Sequence, residues 1–125
     1  MRETFLSENA FLFSETDEKG MITFVNDEFC NVSGYCVEEL VNNPHNIIRH
    51  QDMPKAAFED LWKTVQAGNV WHGYVKNKTK NDGFYWVYAT VYPYKNENGE
   101  QRYMSCRRKP SAEEVNKASM LYKFM

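Results

Sequence analysis

A strand-like stretch, residues 70–77, carries the side chains that point most directly to ligand chemistry. With the two-residue period of a strand, one face holds an indole, an empty glycine position, a valine and an amide, namely Trp71, Gly73, Val75 and Asn77. A close-packed core has little use for a gap beside an indole, or for an amide that must find a partner. This face therefore fits a sheet laid against something flat with polar edges. The alternative is that Gly73 marks a bulge and Asn77 caps the strand end.

Three histidines, His45, His50 and His72, raise a second kind of ligand. A neutral imidazole is the usual protein ligand to haem iron, so a haem site is an alternative. By strand alternation His72 points away from the Trp71 face, and His45 is more simply a loop residue.

Other reactive groups give no catalytic pattern. No nucleophile–base arrangement, pair of carboxylates or phosphate-cradling glycine loop stands out, which predicts a binding module and not an enzyme. Cys30, Cys36 and Cys106 are odd in number and lack CxxC spacing, which favours reduced thiols in the cytoplasm over disulfides or a zinc site. We expect them to be ordinary buried residues, with no metal bound.

Composition narrows the classes further. The chain has 125 residues, a net charge of −2 and a pI near 5.9, which argues against nucleic-acid binding. No apolar run approaches the ~20 residues of a membrane helix and no signal peptide is apparent, so we expect a soluble domain without direct membrane insertion.

A central amphipathic helix is predicted just before the strand at 70–77. Pro54 suits its first turn, and an apolar stripe recurs at helical spacing through Phe58, Leu61, Trp62 and Val65. On another face, Lys55, Glu59 and Lys63 at i, i+4 spacing can pair in solvent. Gly68 follows the last apolar position, where a left-handed helix cap is expected.

The rest of the chain alternates short strands and helical pieces. We predict strands at 10–14, 21–25, 84–92 and 101–108, and short helices at 27–32 and 36–40. An Asn81-Asp82-Gly83 turn joins the two strands that follow the central helix. Ser111 and Glu114 form a capping box for a last helix, whose stripe of Val115, Ala118, Leu121 and Tyr122 must bury against something. This order predicts an α+β fold: a five-stranded antiparallel sheet, with short helices and one longer helix over one face, plus a C-terminal helix.

Several short motifs, in order, resemble the PAS domain, a sensory module. They are Val25-Asn26-Asp27-Glu28-Phe29, Ser33-Gly34-Tyr35 with Glu38-Glu39-Leu40, Asn81-Asp82-Gly83-Phe84-Tyr85-Trp86, and Tyr92-Pro93. Each motif alone is weak, but together they cover residues 10 to about 122. Residues 1–9 are polar, which predicts a loose lead-in or a short helix. The resemblance implies a PAS sensory domain at 10–109 and an output or dimerisation helix at 110–125.

Within that family the chain is most similar to the flavin-binding PAS domain of bacterial aerotaxis receptors. The matching residues include Pro44-His45-Asn46, Arg49-His50, Asp52 to Phe58, Trp62, Trp71, Gly73, Val75-Lys76-Asn77 and Leu121-Tyr122-Lys123. Gln51 departs from the pattern, since those receptors have a proline there. We expect this change to alter the loop backbone without removing a ligand.

The resemblance implies non-covalent FAD between the sheet and the central helix, with its redox state reporting oxygen or cellular energy. Arg49, His50, Asp52 and Trp71 match positions important for flavin binding in aerotaxis receptors, and Trp62 and Asn77 match flavin contacts in a related PAS domain of nitrogen-fixation regulation. Asn26 is a further cofactor-binding candidate. Arg49 could pair with the pyrophosphate. Asn77 can both donate and accept as the flavin N5 changes from acceptor to donor on reduction.

Strand alternation adds Arg107 to the candidate set, on one face with Tyr103 and Ser105, where a guanidinium could answer a change in flavin charge. Residues 44–53 contain no cysteine, which argues against a light-driven cysteine adduct. Two alternatives to FAD stay open: a haem-binding gas sensor, and a ligand-free PAS module for interaction or dimerisation. The implied partner is a chemotaxis-type signalling protein or receptor output domain, with a possible homodimer. The implied location is the cytoplasm, where a partner or a region outside this chain could hold the domain at the inner membrane face.

Overall fold

The architecture follows the predicted order of elements. A computed structural model describes residues 2–125 as a five-stranded antiparallel sheet with four α-helices. The strands are β1 (Leu12–Asp17), β2 (Ile22–Val25), β3 (Trp71–Lys78), β4 (Phe84–Lys95) and β5 (Gln101–Arg108). The helices are α1 (Asp27–Ser33), α2 (Val37–Leu40), α3 (Lys55–Gln66) and α4 (Ala112–Tyr122), with a 3₁₀ turn at His45–Ile48. The α+β prediction is confirmed.

The spatial strand order, β2-β1-β5-β4-β3, places the first hairpin beside the last strand. Strand β1 runs further than the predicted 10–14, because pairing with β5 continues to the Asp17–Arg102 pair. Strands β3 and β4 pair without a break from Trp71–Val91 to Lys78–Phe84, so Gly73 is not a bulge.

Helices cover the two faces of the sheet unequally. Helix α3 begins after Pro54, and Gly68 just beyond it has the left-handed backbone (φ 90°) expected of a helix cap. Helix α4 begins at the predicted capping box of Ser111 and Glu114. It packs on the opposite face of the sheet from α3, where the rings of Trp86 and Tyr122 stack at 6.4 Å.

Three local expectations differ from the structure. In α4, Ala118 is buried but Leu121 is 61% exposed, because Leu121 falls outside the arc of the helix that meets the sheet. None of the three cysteines is fully buried: Cys30 and Cys106 are half-buried, and Cys36 is exposed, since it precedes α2 at the surface. The lead-in is tied down: Thr4 N donates to Phe84 O (2.8 Å). No helix within residues 2–125 is long and apolar enough to cross a membrane.

Candidate functional site

A central cavity of about 200 Å³ lies between the inner face of the sheet and α3. Its lining residues are Ser14, Thr16, Lys19, Gly20, Pro44, His45, Asn46, Arg49, Phe58, Leu61, Trp62, Val75, Asn77, Ala89, Val91, Tyr103, Ser105 and Arg107. Small side chains at the centre of the sheet leave room for it: Ser14 pairs with Ser105, and Ala89 lies beside Arg107. The cavity therefore has a flat strand floor and a helical roof.

The roof is formed by the apolar stripe of α3. Phe58, Leu61 and Trp62 are only half-buried, because the cavity lies beneath them. The Trp62 ring meets the edge of Tyr103 at 5.3 Å and 87°. A Cβ atom at Gly20 would lie 3.3 Å from the Trp62 ring, so this left-handed glycine (φ 84°) lets the indole approach the first hairpin.

Arg107 forms the polar end of the cavity and has no carboxylate partner among the described residues. It is 7% exposed, donates from Nε to Ser105 Oγ (2.8 Å), and donates from Nη2 to His45 Nε2 (3.2 Å). Its Cζ atom lies 5.7 Å from the centre of the Phe29 ring. Burial lowers the pKa of Arg107, but a guanidinium stays charged at neutral pH because its ordinary pKa is about 12.5 or higher. A fixed, uncompensated positive charge therefore faces the cavity.

His45 is the second member of this polar end. Because Arg107 donates to Nε2, that nitrogen is an acceptor and the proton is assigned to Nδ1. Ser14 Oγ also lies 3.1 Å from Nε2. Burial, followed by the charge of Arg107, lowers the pKa of His45 to about 3, so the ring is neutral near pH 7.

Asn77 joins the same group from β3. Its amide is 2% exposed and is assigned so that the oxygen accepts from Arg107 Nη1 (3.1 Å) and the nitrogen donates to Ile48 O (3.3 Å). The cross-strand neighbour Tyr85 is fully buried, and its hydroxyl has no hydrogen-bond partner among the described residues. Burial raises the pKa of that hydroxyl to about 12. An amide that either donates or accepts thus lies next to a fixed cation.

Arg49 lies at the mouth of the cavity, beneath the N-terminal half of α3. Its guanidinium covers the Phe58 ring at 3.8 Å, and its Nε is buried without a hydrogen-bond partner among the described residues. An open groove continues from this mouth along α3, and is called the α3 groove below. It is lined by Arg49, Lys55, Phe58, Glu59, Trp62, Lys63, Gln66 and Ala67, three of which also line the cavity.

His50 and Asp52 lie outside the cavity lining. His50 is 3% exposed and accepts the Asp52 backbone N–H at Nδ1 (3.0 Å). The Asp52 carboxylate, 61% exposed, accepts from Lys76 Nζ (2.8 Å). Met53 Sδ accepts the Lys76 backbone N–H (3.3 Å). These contacts fasten the loop to β3 next to Asn77, so His50 and Asp52 lie where they position the cavity wall.

Trp71 and Asn26 are also outside the lining. The Trp71 indole folds over Gly73, where an added Cβ would lie 2.2 Å from the ring, and its Nε1 donates to Asp60 Oδ2 (2.9 Å). The gap inferred from Gly73 is therefore filled by Trp71 itself. The Asn26 amide caps α1 at Phe29 N (3.1 Å) and bonds to Phe13 N and Phe11 O, so its hydrogen-bonding capacity serves the backbone.

The structure therefore brings together Arg49, Trp62, Asn77 and Arg107, but not the other four candidates. Sequence reasoning missed Ser14 and Thr16, and it considered His45 only as a loop residue or iron ligand. A signal was present, since Leu12, Ser14 and Thr16 alternate on one face of β1, and two buried hydroxyls in a row are unusual for a core. His72 lies on the outer face beside Tyr88, as alternation predicted.

Comparison with known proteins identifies the class of protein to which this sheet and its helix-roofed cavity belong. The PAS fold family matches residues 22–107, so the chain belongs to that family. It has 45% identity to the aerotaxis receptor of Escherichia coli (strain K12) over 122 residues, which are 98% of this chain and 24% of the receptor. It has 26% identity to the nitrogen fixation regulatory protein of Klebsiella pneumoniae, over 84% of this chain and 21% of that protein. The chain thus spans about a quarter or less of the length of these relatives.

Solved structures show the same fold at low sequence identity. The dark structure of the LOV domain of the blue-light photoreceptor Aureochrome1 gives a TM-score of 0.75, with 14% identity over 90% of this chain and 85% of that chain. A LOV domain studied with a flavin analogue gives 0.74, with 17% identity over 90% and 86%. The resemblance to PAS domains and to aerotaxis receptors is confirmed.

Proposed function

We propose that this domain binds FAD non-covalently in the central cavity and reports redox, oxygen or energy state to a signalling partner. The observation that carries the proposal is Arg107, a buried cation with no carboxylate among the described residues to neutralise it. Burying such a charge is costly, so its retention is expected where a ligand can carry negative charge. The aerotaxis relative supports a sensory role, and the flavin analogue reported for a LOV domain supports a flavin.

The residues present fit a flavin. Trp62 and Leu61 provide an apolar roof over a strand floor, which suits a flat ring. Asn77, Arg107 and His45 provide the polar rim at one end, and Arg49 with its unpartnered Nε lies at the mouth. Bound FAD would supply reversible electron transfer, which changes its charge and its hydrogen-bonding pattern. The Asn77 amide can respond to the change in hydrogen bonding by exchanging its donor for its acceptor group. The fixed charge of Arg107 can interact more strongly with a flavin that has become negatively charged.

The alternative of haem is less well supported by the site. His45 is the histidine that lines the cavity, and its Nε2 accepts from Arg107 while its pKa is lowered to about 3. The guanidinium of Arg107, 3.2 Å from His45 Nε2, opposes the binding of an iron ion to that nitrogen. An enzyme is disfavoured by the same contact: Ser14 and His45 are placed as a nucleophile and base would be, but this ring is a poor proton acceptor near pH 7.

The signal would leave through β3 and α4, which makes residues 110–125 the output or dimerisation element beside the sensory domain at 10–109. Tyr74, on the outer face of β3 and three residues from Asn77, donates its hydroxyl to Glu114. The Tyr122 hydroxyl donates to the Tyr74 carbonyl oxygen (2.6 Å). A change at Asn77 would thus pass along three residues of the β3 backbone and through these two hydrogen bonds to α4. We place the domain in the cytoplasm, reaching the inner membrane face only through a partner or a further region.

The test is the absorbance spectrum of the purified protein, with the extracted cofactor identified by mass. Flavin bands and released FAD are expected. Arg107→Met should weaken retention of the flavin, whereas Arg108→Met, one residue on and exposed on the opposite face, should not. A Soret band would favour haem. A colourless protein that ignores added flavin would favour the ligand-free module.

A further inference from the structure

The central cavity is too small for a whole dinucleotide. At about 200 Å³ it lies below the roughly 300–1,000 Å³ of pockets that enclose drug-sized ligands. A flavin bound here would place its tricyclic ring in the cavity, and its phosphates and any attached nucleoside would lie outside the mouth.

The α3 groove opens from this mouth and shares Arg49, Phe58 and Trp62 with the cavity. Its charged side chains are three cations, Arg49, Lys55 and Lys63, and one anion, Glu59. This excess of positive charge occurs in a chain whose net charge is −2.

The cations of this groove are not neutralised by the protein. The i, i+4 spacing predicts that Lys55 and Lys63 pair with Glu59, yet among residues 2–125 neither lysine lies within ion-pair distance of a carboxylate. Arg49 likewise has no carboxylate there, and its Nε is buried without a partner. Unpaired cations beside an orphaned buried donor are the arrangement that a phosphate oxygen satisfies.

We propose that the α3 groove binds the diphosphate–adenosine arm of the flavin, with Lys55 and Lys63 as phosphate-contacting residues that make this domain select FAD over FMN and riboflavin. This inference rests on the proposed function, since it assumes a flavin ring in the cavity. Lys55 and Lys63 lie eight residues apart on α3, about 12 Å along its axis, so they flank the path of an extended arm beside Trp62. Glu59 lies between the two lysines, and its negative charge should keep phosphate groups away from that part of the groove.

The experiment compares dissociation constants of riboflavin, FMN and FAD for the whole chain, measured by quenching of flavin fluorescence. The wild type should bind FAD at least about tenfold more tightly than riboflavin. Lys55→Gln/Lys63→Gln should weaken FAD binding roughly 3- to 30-fold, the range of one or two exposed charge contacts, and leave riboflavin unchanged. Added salt should weaken FAD binding in the wild type more than in the variant.

Two controls separate position from net charge. Lys95→Gln/Lys117→Gln removes the same charge at exposed sites outside the cavity and the groove, and should leave all three affinities unchanged. Lys19→Gln removes a cation that lines the cavity but not the groove, and should affect FAD less than the groove variant.

Equal affinities of the wild type for riboflavin and FAD would overturn the inference. So would a groove variant that loses riboflavin as much as FAD, or an FAD loss carried by Lys19→Gln alone. Failure of all three flavins to bind is a different result, because it refutes the proposed function itself.

Discussion

Replacing Trp71 by alanine should lower the stability of the ligand-free domain, because the indole packs in the fold and does not line the cavity. The indole is 8% exposed, fills the space above Gly73 and donates to Asp60 from β3 to α3. Removing a buried aromatic ring costs about 3–5 kcal/mol, and the lost hydrogen bond to an exposed carboxylate adds at most about 1 kcal/mol. Since a domain of this size is stable by about 5–15 kcal/mol, the variant should be marginal even without ligand.

The assay is urea denaturation of the flavin-free protein, followed by far-UV circular dichroism so that the missing indole does not alter the signal. Trp71→Phe keeps a ring and loses the N–H, and should cost about 1–2 kcal/mol. Gly73→Ala disturbs the same contact from the other side, because its Cβ would lie 2.2 Å from the indole. It should destabilise the apo protein by about 1–3 kcal/mol, as overpacking does.

Trp62→Ala is the matched comparison, since Trp62 lines the cavity and is only half-buried. It should cost the apo protein far less than Trp71→Ala but weaken flavin binding about tenfold or more. The reasoning is refuted if Trp71→Ala leaves apo stability within about 1 kcal/mol of wild type while abolishing flavin binding. That result would mean that the Trp71 indole contacts the ligand and contributes little to the stability of the fold.

Three further outcomes are expected. Arg107→Met should leave apo stability unchanged or raise it, because a buried cation without a carboxylate is removed, and should lower the flavin midpoint potential by about 59 mV or more for a one-electron step. Stability should fall as pH drops below 6.5, by about 2 kcal/mol between pH 7 and pH 5, because the folded-state pKa of His45 is lowered to about 3 and the unfolded chain binds the extra proton. Tyr74→Phe should speed amide exchange in α4 by loss of the bond to Glu114, without changing flavin affinity.

Arg108→Met should leave the potential unchanged, and an Arg107→Met variant that loses several kcal/mol with no change in potential would make this arginine structural. His45→Asn should flatten the acid slope only in part, since burial also lowers the pKa of His50. Tyr94→Phe removes another tyrosine–glutamate contact and should leave α4 protected. Identical amide exchange of residues 101–125 in the oxidised and reduced protein would mean that the signal leaves the domain by another route.

Local patterns in the sequence determined the elements of this protein. The 3.6-residue stripe from Phe58 to Val65 is enough for α3, and the capping box of Ser111 and Glu114 sets the start of α4. Strand alternation placed Trp71 with Asn77 and sent His72 outward. These features depend on neighbours a few residues apart, so the chain itself displays them.

Which side chains meet across the sheet could not be obtained in that way. Arg107 reaches His45, 62 positions away, and Asn77 on another strand, because β5 lies in the middle of the strand order and the 3₁₀ turn folds over it. The sequence also did not show which hydrogen bonds a candidate side chain makes. Asn26 and Trp71 match a binding motif, yet their polar groups bond to backbone and to Asp60. Sequence spacing fixes the face on which a side chain lies, whereas its partner depends on packing between distant segments, and only the tertiary structure decides that.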